Sequence, residues 1–222
     1  MVKNHLKRLT IPTTWKGVLR KEDKFIVRPC AGPHAREQSF PLNLIIKKLG
    51  LAKTSKEVRH ILNTKKVLVD GRRIRDDHFP VGVFDIVSFP DIKKHVRVLL
   101  DKRGNLTIVE VSKNTTQKIS RVINRRIIAK GKLQINLLDG RNILTDDKTI
   151  KRGDSLVLEL PSQKIVKHLP LKEGSQVILV GGKHRGDSGI IKNVSATKIT
   201  YENKDKQIIE TLRPFAYVIT EL

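Results

Sequence analysis

The spacing of apolar residues predicts two neighbouring helices after residue 40. In PLNLIIKKLG, which begins at Pro41 and ends at Gly50, the apolar residues recur as on one helix face: Leu42, Ile45, Ile46 and Leu49. In TSKEVRHILN, Thr54 and Glu57 form the pattern of a capping box, and the apolar face consists of Val58, Ile61 and Leu62. The opposite face of this second helix carries no acidic residue: Lys56, Arg59, His60 and Asn63.

A β-hairpin is predicted directly after the second helix. In KKVLVDGRRI, three apolar residues precede Asp70-Gly71, a preferred pair for a two-residue hairpin turn. Arg72, Arg73 and Arg75 follow the turn, so we expect arginines beside the basic helix face. The strand-like residues of FPVGVFDIVSF complete a compact unit of two helices and a hairpin.

From about residue 95 the pattern is mainly that of β-strands. Segments rich in Val, Ile and Leu alternate with the turn pairs Arg103-Gly104, Asp139-Gly140 and Arg152-Gly153, which predicts a small barrel or sandwich. TTQKISRVINRRIIAKGK, within this region, fits a helix or a strand, and the sequence does not decide between them. A second, smaller barrel is predicted from Leu171 onward, where the strand-like segments are SQVILV, GIIKNV, KITYEN and QIIETL.

Residues 1–40 show neither helical nor strand periodicity. Pro12, Pro29 and Pro33 lie among basic residues, which predicts an irregular arm that becomes ordered on its binding partner. A solubilising tail is the alternative. Either way, the arm is expected to lack a core of its own.

The chain has a large positive charge that is spread along its length. It contains 45 Lys and Arg against 22 Asp and Glu, a net charge of +23, and only residues 171–222 are nearly balanced, with eight basic and six acidic residues. Such a surface is typical of a protein that binds RNA or DNA, whereas a membrane anchor concentrates charge in one cluster or helix. Aromatic residues make up 4%, too few for a base-stacking platform. We therefore expect contacts to the backbone of folded RNA, although charge alone does not exclude DNA.

Several other classes of protein do not fit the sequence. Cys30 is the single cysteine, so no internal disulfide is possible, and the composition suits a reducing compartment. No stretch has the length or apolar character of a signal peptide or a membrane span, which predicts a soluble intracellular chain. Cys30 and His34 are too few for a zinc site, which needs four ligands. No metal, cofactor or small-molecule substrate is predicted.

The glycine-rich stretch LVGGKHRGDSGIIKNV does not meet the requirements of a nucleotide-binding P-loop. Counting back from Gly182-Lys183, the first required glycine is replaced by Val177, and His184 stands where a Ser or Thr belongs. No helical pattern follows to hold a phosphate at its N-terminus. The stretch is therefore interpreted as a strand, a basic glycine turn and a second strand.

EGSQVILVGGKHRGDSGIIKNV closely resembles the KOW motif of ribosomal and transcription-elongation proteins. The motif residues occur in the expected order: Gly174, Val177, Gly182, Gly186, Gly189, Ile190 and Ile191. TSKEVRHILNTKKVLVDGRRI resembles the alpha-L RNA-binding motif, with Asp70 where Asn is common and Phe84-Asp85 where Gly-Asp is common. With KNHLKRL, IPTTW and GPHARE ahead of them, the two modules resemble the small-subunit ribosomal protein S4e family of archaea and eukaryotes over nearly the whole chain.

This resemblance implies an α+β, multi-domain fold and a structural role. It implies binding to small-subunit ribosomal RNA in the cytoplasm, with neighbouring small-subunit proteins as further partners, and no catalysis. The lack of a eukaryotic extension favours an archaeal source. The expected segments are a basic arm, a helix–hairpin alpha-L RNA-binding domain, a mainly β central domain, and a small SH3-like KOW β-barrel with a C-terminal tail: 1–40, 41–94, 95–170 and 171–222.

The residues expected to contact RNA fall into three groups. The alpha-L unit contributes ten of them: Lys47, Lys48, Lys56, Arg59, His60, Lys65, Lys66, Arg72, Arg73 and Arg75. The glycine loop contributes residues that contact RNA more weakly or touch a neighbouring protein: Lys183, His184 and Arg185. The arm contributes the remainder: Lys3, His5, Lys7, Arg8, Trp15, Lys16, Arg20, Arg28, His34 and Arg36.

Two alternative functions use the same modules. An RNA-modifying enzyme could use the alpha-L unit for targeting, but a pseudouridine synthase needs a catalytic Asp in a Gly-Arg-Leu-Asp context. The nearest string is LLDGR, in which Asp139-Gly140 has the pattern of a hairpin turn. A transcription or translation factor built on the KOW unit would not need positive charge throughout the first 170 residues.

Overall fold

The computed structural model describes residues 5–21, 23–112, 116–128 and 131–220. Within these residues the chain is mostly β with two α-helices, and it forms two compact units. The first unit consists of Met1–Leu99 and Asn105–Thr115, and the second of Leu100–Gly104 and Thr116–Leu222. The expectation of a multi-domain chain that combines helices and strands is confirmed.

The first unit contains the two helices and the N-terminal strands. In chain order, its elements are β1 (Leu6–Lys7), β2 (Phe25–Ile26), β3 (Ser39–Pro41), α1 (Leu42–Lys48), α2 (Ser55–Thr64), β4 (Leu68–Val69), β5 (Arg72–Arg73), β6 (Pro80–Gly82), β7 (Ile86–Phe89), β8 (Lys94–Leu100) and β9 (Leu106–Glu110). Strands β1 and β2 pair with each other, as do β3 and β6, and a five-stranded sheet has the order β5-β4-β7-β8-β9.

Local sequence signals explain both helices. In α1 the side chains of Leu42, Ile45 and Ile46 are fully buried, and the helix is followed by Gly50 at a φ of 72°, a backbone conformation that favours glycine. In α2, Val58 and Leu62 are fully buried. Burial of both apolar faces holds the short helices in place, since helices of this length are marginal alone.

The described part of the predicted arm is packed into the first unit. Trp15 is only 3% exposed, and its ring centroid lies 5.7 Å from that of Phe40. The backbone of Thr14 accepts a hydrogen bond from Leu106 N at 2.8 Å, and the Thr14 hydroxyl donates to Glu37 O at 2.8 Å. The arm has no periodicity because its buried residues are isolated ones that complete a core made by later segments.

The second unit is built from antiparallel strands. In chain order they are β10 (Gln117–Ile127), β11 (Leu133–Leu137), β12 (Asn142–Thr145), β13 (Ser155–Glu159), β14 (Ile165–Leu169), β15 (Gln176–Leu179), β16 (Ser188–Val194), β17 (Lys198–Asn203), β18 (Ile208–Leu212) and β19 (Ala216–Val218). One five-stranded sheet has the order β12-β11-β10-β13-β14, and the other has the order β18-β17-β16-β15-β19.

The segment that the sequence left undecided is the long strand β10. Its first half pairs with β13 over Gln117–Arg121, and its second half pairs with β11 from Val122 to Ile127. A register shift between Val122 and Asn124 interrupts the ladder with β11. Such an irregularity breaks the period of two along a strand, which explains why the sequence also fitted a helix.

The structure groups the strands differently from the four segments predicted by the sequence. Strand β8 pairs with β7 because Lys93, at a φ of 52°, ends a tight turn between them, so the predicted boundary at residue 94 lies inside a sheet. The boundary at residue 170 crosses a shared core in which Ile119 and Val157 pack with Val177 and Tyr201. The central strands also have a core cluster of their own, which includes Val122, Ile135 and Leu156.

Candidate nucleic-acid interface

The outer face of α2 presents cationic side chains on a firmly capped helix. Lys56, Arg59 and His60 are exposed. The Thr54 hydroxyl accepts from Glu57 N at 3.3 Å, and the Glu57 carboxylate accepts from Lys53 N at 2.8 Å and from Thr54 N at 3.4 Å. The hydrogen bond from Lys53 N, followed by that from the Thr54 side chain, lowers the pKa of Glu57. The predicted capping box is thus present and fixes the start of the helix.

Arg59 is held at the edge of this face by a buried acid. Its Nε lies 3.7 Å from Asp77 Oδ2, while 65% of the Arg59 side chain stays exposed. Asp77 also accepts a hydrogen bond from Asn43 Nδ2 at 2.8 Å. The contact with Asp77 positions the guanidinium and leaves most of it open to a ligand.

The hairpin after α2 displays arginines on a tightly anchored turn. Asp70 and Gly71 have φ values of 50° and 78°, as a two-residue turn of this kind requires. Asp70 is 5% exposed, and its Oδ1 accepts a hydrogen bond from Ile86 N at 3.0 Å. Arg73 Nη2 donates to Asn63 O at 3.2 Å, which joins the hairpin to the last turn of α2.

Eight exposed basic side chains on α2 and the hairpin form what we name the helix–hairpin surface. Three lie on the helix and the others lie after it: Lys56, Arg59, His60, Lys65, Lys66, Arg72, Arg73 and Arg75. Lys65 is the only one besides Arg59 for which an ion pair is recorded among the described residues, at 3.9 Å from Asp91 Oδ2. Positive charge on this surface is thus largely unopposed.

The two lysines of α1 serve packing as well as charge. Lys47 Nζ donates to Ser55 Oγ at 3.0 Å, which links the two helices. Lys48 Nζ lies 4.4 Å from the ring centroid of Phe40 and donates to Lys16 O, and burial lowers the pKa of Lys48. We therefore leave Lys47 and Lys48 out of the helix–hairpin surface.

The predicted contacts of the arm divide into exposed and buried residues. Those with exposed side chains are His5, Lys7, Lys16, Arg20 and Arg36, and those that are half-buried are Arg8 and Arg28. Arg8 donates to Leu19 O at 2.8 Å and pairs with Asp23 at 3.1 Å. Lys3 lies outside the described residues.

Two predicted arm contacts are corrected by the structure. The Trp15 indole is buried against Phe40 and donates from Nε1 to Arg36 O at 3.3 Å. The His34 side chain is 8% exposed, with Nε2 at 2.9 Å from Asp85 Oδ2. Both side chains are occupied within the core of the first unit, so neither is available at the surface.

In the second unit, the glycine loop lies between β15 and β16. Lys183 is exposed, and His184 and Arg185 are half-buried. Gly186 has a φ of 89°, and a Cβ at this position would lie 2.1 Å from the carbonyl oxygen of Asp101. The loop is therefore packed backbone against backbone on the turn Asp101–Gly104, which only glycine permits.

This packing creates a cleft of about 420 Å³ that the sequence did not reveal. The loop forms one wall, and exposed cations of two other turns line the rest: Lys102, Arg103 and Lys204. The sequence contained one related signal, the turn pair Arg103-Gly104. Such a pair predicts a turn but does not say which segment packs against it. Contacts between segments 80 residues apart have no local sequence signature.

Within the described residues, no group of His, Cys, Asp and Glu is arranged to hold a metal ion. Neither α1 nor α2, the helices seen in that part of the chain, has the length and apolar character needed to cross a bilayer.

The fold and the cation-rich surfaces define a multi-domain nucleic-acid-binding protein with an S4-type helix–hairpin unit. Comparison with known families agrees along the chain: the S4 domain matches residues 40–87, the RS4NT domain residues 2–37, and ribosomal family S4e residues 92–165. The chain belongs to the S4e family of ribosomal proteins, as the resemblance of its motifs predicted.

Relatives from several archaea match almost the full chain. Small ribosomal subunit protein eS4 of Nanoarchaeum equitans is 39% identical over 91% of this chain and 87% of its own length. The protein of the same name from Methanocaldococcus jannaschii is 36% identical over 98% and 94%. The crystal structure of 30S ribosomal protein S4e from Thermoplasma acidophilum superposes with a TM-score of 0.70 at 27% identity, covering 82% of this chain and 95% of that chain.

Proposed function

We propose that the chain is a structural constituent of the small ribosomal subunit and that the helix–hairpin surface binds small-subunit ribosomal RNA. The observation that carries this proposal is the run of exposed, mostly unpaired cations on α2 and the arginine hairpin. Family membership supports it, since the relatives are named small ribosomal subunit proteins. The protein works in the cytoplasm, inside a particle that also contains neighbouring ribosomal proteins.

The helix–hairpin surface binds RNA through its phosphates and not through its bases. Each Lys or Arg that neutralises a phosphate releases condensed counterions, which supplies free energy that depends on salt. The arginines of the hairpin can each donate two parallel hydrogen bonds to one phosphate. A-form RNA hides its base edges in a deep major groove, so shape and backbone dominate its recognition. The few aromatic residues of the chain fit this mode.

The C-terminal sheet is proposed to be the SH3-like KOW barrel, and its glycine loop is proposed as a second RNA contact. The sheet order β18-β17-β16-β15-β19 joins the last strand to the first, as closure of a small barrel requires. Positive φ values at Gly182 and Gly186 support the tight turn of the motif. Exposed side chains of the arm extend the interface.

A catalytic role is not part of this proposal. In the LLDGR string, the side chain of Asp139 is 3% exposed and pairs with Lys118 Nζ at 3.0 Å, and Gly140 forms the turn with a φ of 76°. A buried, paired carboxylate stabilises the fold and is not open to an RNA base. This arrangement favours the structural role over an RNA-modifying enzyme.

The test replaces Arg59 and Arg72 together with alanine and measures binding to full-length small-subunit ribosomal RNA at several salt concentrations. The logarithm of the binding constant should depend less steeply on the logarithm of salt, with a slope reduced by roughly 1.4 to 1.8 for two lost phosphate contacts. The control is Lys192→Ala with Lys198→Ala, because these lysines already pair with Glu202 and Glu210 at 2.6 and 3.1 Å. A double variant whose slope equals that of the wild type rules out the helix–hairpin surface.

Sedimentation of a cell lysate tests the location of the protein. We expect it to travel with the small subunit at moderate salt. An RNA-modifying enzyme or a free KOW-type factor would stay mostly in the unbound fractions, and that distribution would contradict the structural role.

A further inference from the structure

We propose that the cleft in the second unit is a binding site for consecutive phosphodiester groups of an RNA strand. We name it the basic cleft, formed by the turn Lys102–Arg103, the loop Lys183–Arg185 and the turn at Lys204. The inference rests on the proposed function, because the phosphates are taken to be those of ribosomal RNA. It adds residues from two turns to the glycine loop and assigns all three to one ligand.

The shape of the basic cleft is fixed by glycines at two points of close approach. A Cβ at Gly186 would lie 2.1 Å from Asp101 O and 2.6 Å from Gly104 N, and a Cβ at Gly104 would lie 2.7 Å from Arg185 Nε. Because the loop and the turn touch through their backbones, Lys102 and Arg103 are held beside the loop. Close backbone contact fixes the two walls relative to each other, so little ordering of the backbone is needed on binding.

Cations outnumber acids around the basic cleft. Five Lys and Arg side chains line it, against Asp187 and Asp205. Asp187 is occupied: its Oδ1 accepts from Ser188 N at 2.9 Å and its Oδ2 from the Tyr201 hydroxyl at 2.9 Å. Burial, followed by this hydrogen bond, raises the pKa of Tyr201, so the phenol stays a donor to Asp187. Asp187, the acid that faces the loop, therefore uses both of its carboxylate oxygens in hydrogen bonds within the protein.

Three residues that line the basic cleft carry backbone N–H groups for which no acceptor is found among the described residues. In the described parts of the chain, no acceptor is recorded for the backbone N–H groups of Lys183, His184 or Arg185. Arg185 Nε is buried without a hydrogen-bond acceptor there. Successive free backbone N–H groups with nearby cations are the usual protein site for phosphate oxygens.

A polyanion fits the basic cleft better than a small free anion. Lys102, Arg103, Lys183 and Lys204 are exposed at its rim, where water weakens the attraction of any single charge pair. A strand with several linked phosphates contacts several of these cations at once and releases counterions at each. The residues that line this volume of about 420 Å³ are polar, charged or glycine, a lining that suits phosphate groups better than a base or a cofactor ring.

The test neutralises the two turns and leaves the glycine loop intact. In the full chain, Lys102→Gln, Arg103→Gln and Lys204→Gln are combined, and the dissociation constant for full-length small-subunit ribosomal RNA is measured at 50 and 200 mM KCl. If three phosphate contacts are lost, this rise in salt should weaken the wild type roughly 20- to 40-fold more than the variant. Lys164→Gln, Lys167→Gln and Lys172→Gln form a control of equal charge on exposed lysines elsewhere in the second unit.

The outcomes separate this inference from the proposed function. Wild-type protein that fails to bind the RNA overturns both. Wild-type binding, with the cleft variant matching the lysine control, overturns the basic cleft alone. Sodium phosphate is the second probe. At the phosphate content of a saturating RNA sample, the chemical shifts of the Lys183, His184 and Arg185 amides should still be far from their end point in the phosphate titration. If the shifts reach their end point with phosphate, and RNA does not displace the phosphate, the cleft is a small-anion site and the inference is refuted.

Discussion

Replacement of Phe40 by alanine should strongly lower the free energy of unfolding of the first unit, because this ring joins the N-terminal arm to the helices. Phe40 is fully buried, with its centroid 5.7 Å from the Trp15 ring and 4.4 Å from Lys48 Nζ. Truncation of a buried Phe costs about 3–5 kcal/mol. Because an aromatic pair and a cation–π contact are lost with it, we expect about 4 kcal/mol for Phe40→Ala.

Intrinsic fluorescence measures this effect in the first unit alone, since Trp15 is the only tryptophan. With a dependence of about 2 kcal/mol per molar urea, the midpoint of the fluorescence transition should fall by about 2 M. Phe25→Ala is the matched control, because Phe25 is 49% exposed and its loss should cost less than about 1 kcal/mol. Equal shifts for the two variants, or a wild-type emission typical of a solvent-exposed indole, would refute the packing of the arm.

Three further predictions test the interface and its support. Thr54→Ala should destabilise α2 by about 1 kcal/mol in thermal unfolding followed by circular dichroism at neutral pH. Since hydrogen bonds lower the pKa of Glu57 in the folded state, the stability that its carboxylate adds is fully present above the unfolded-state pKa of about 4.3 and decreases as the pH falls below it. The bond from Glu57 N to the Thr54 hydroxyl remains, and a difference between wild type and variant that does not change with pH would contradict the role of the carboxylate. Tyr201→Phe should destabilise the second unit by about 1–2 kcal/mol, because Asp187 loses a donor; calorimetry that shows no change would argue against this bond. Gly186→Ala should shift the amide resonances of the neighbouring turn and destabilise the second unit by more than about 1 kcal/mol, whereas unchanged spectra would mean that the close approach is absent.

Features defined by neighbouring residues were predictable from the sequence. The two helices, the capping box at Thr54 and the turn at Asp70-Gly71 all rest on interactions within a few residues. The exposed cations of α2 follow from the same periodicity, because a helix that buries one face must expose the other. The S4e family could be recognised because these local features occur in a fixed order.

Features that depend on distant contacts were not predictable. The burial of Trp15 requires Phe40, and the position of β8 requires pairing with β7. The helix-like spacing in β10 arises from the irregularity between Val122 and Asn124, at the point where the strand changes partner from β13 to β11. Each of these depends on a partner segment that no pattern within the element itself specifies.

The net charge of a segment is a poor guide to the field at one of its loops. Residues 171–222 have only two more basic than acidic residues, which suggested a weak role for the glycine loop. The structure pairs Glu202 with Lys192 and Glu210 with Lys198 on the strands, and Asp187 with Tyr201. Glu202 and Glu210 are paired with lysines within the sheet, the Asp187 carboxylate is held by hydrogen bonds, and the turn Lys102–Arg103 adds cations from outside the segment. The electrostatic potential at a loop is set by the charges that the fold brings near it, and this explains how a nearly neutral segment can carry a strongly basic cleft.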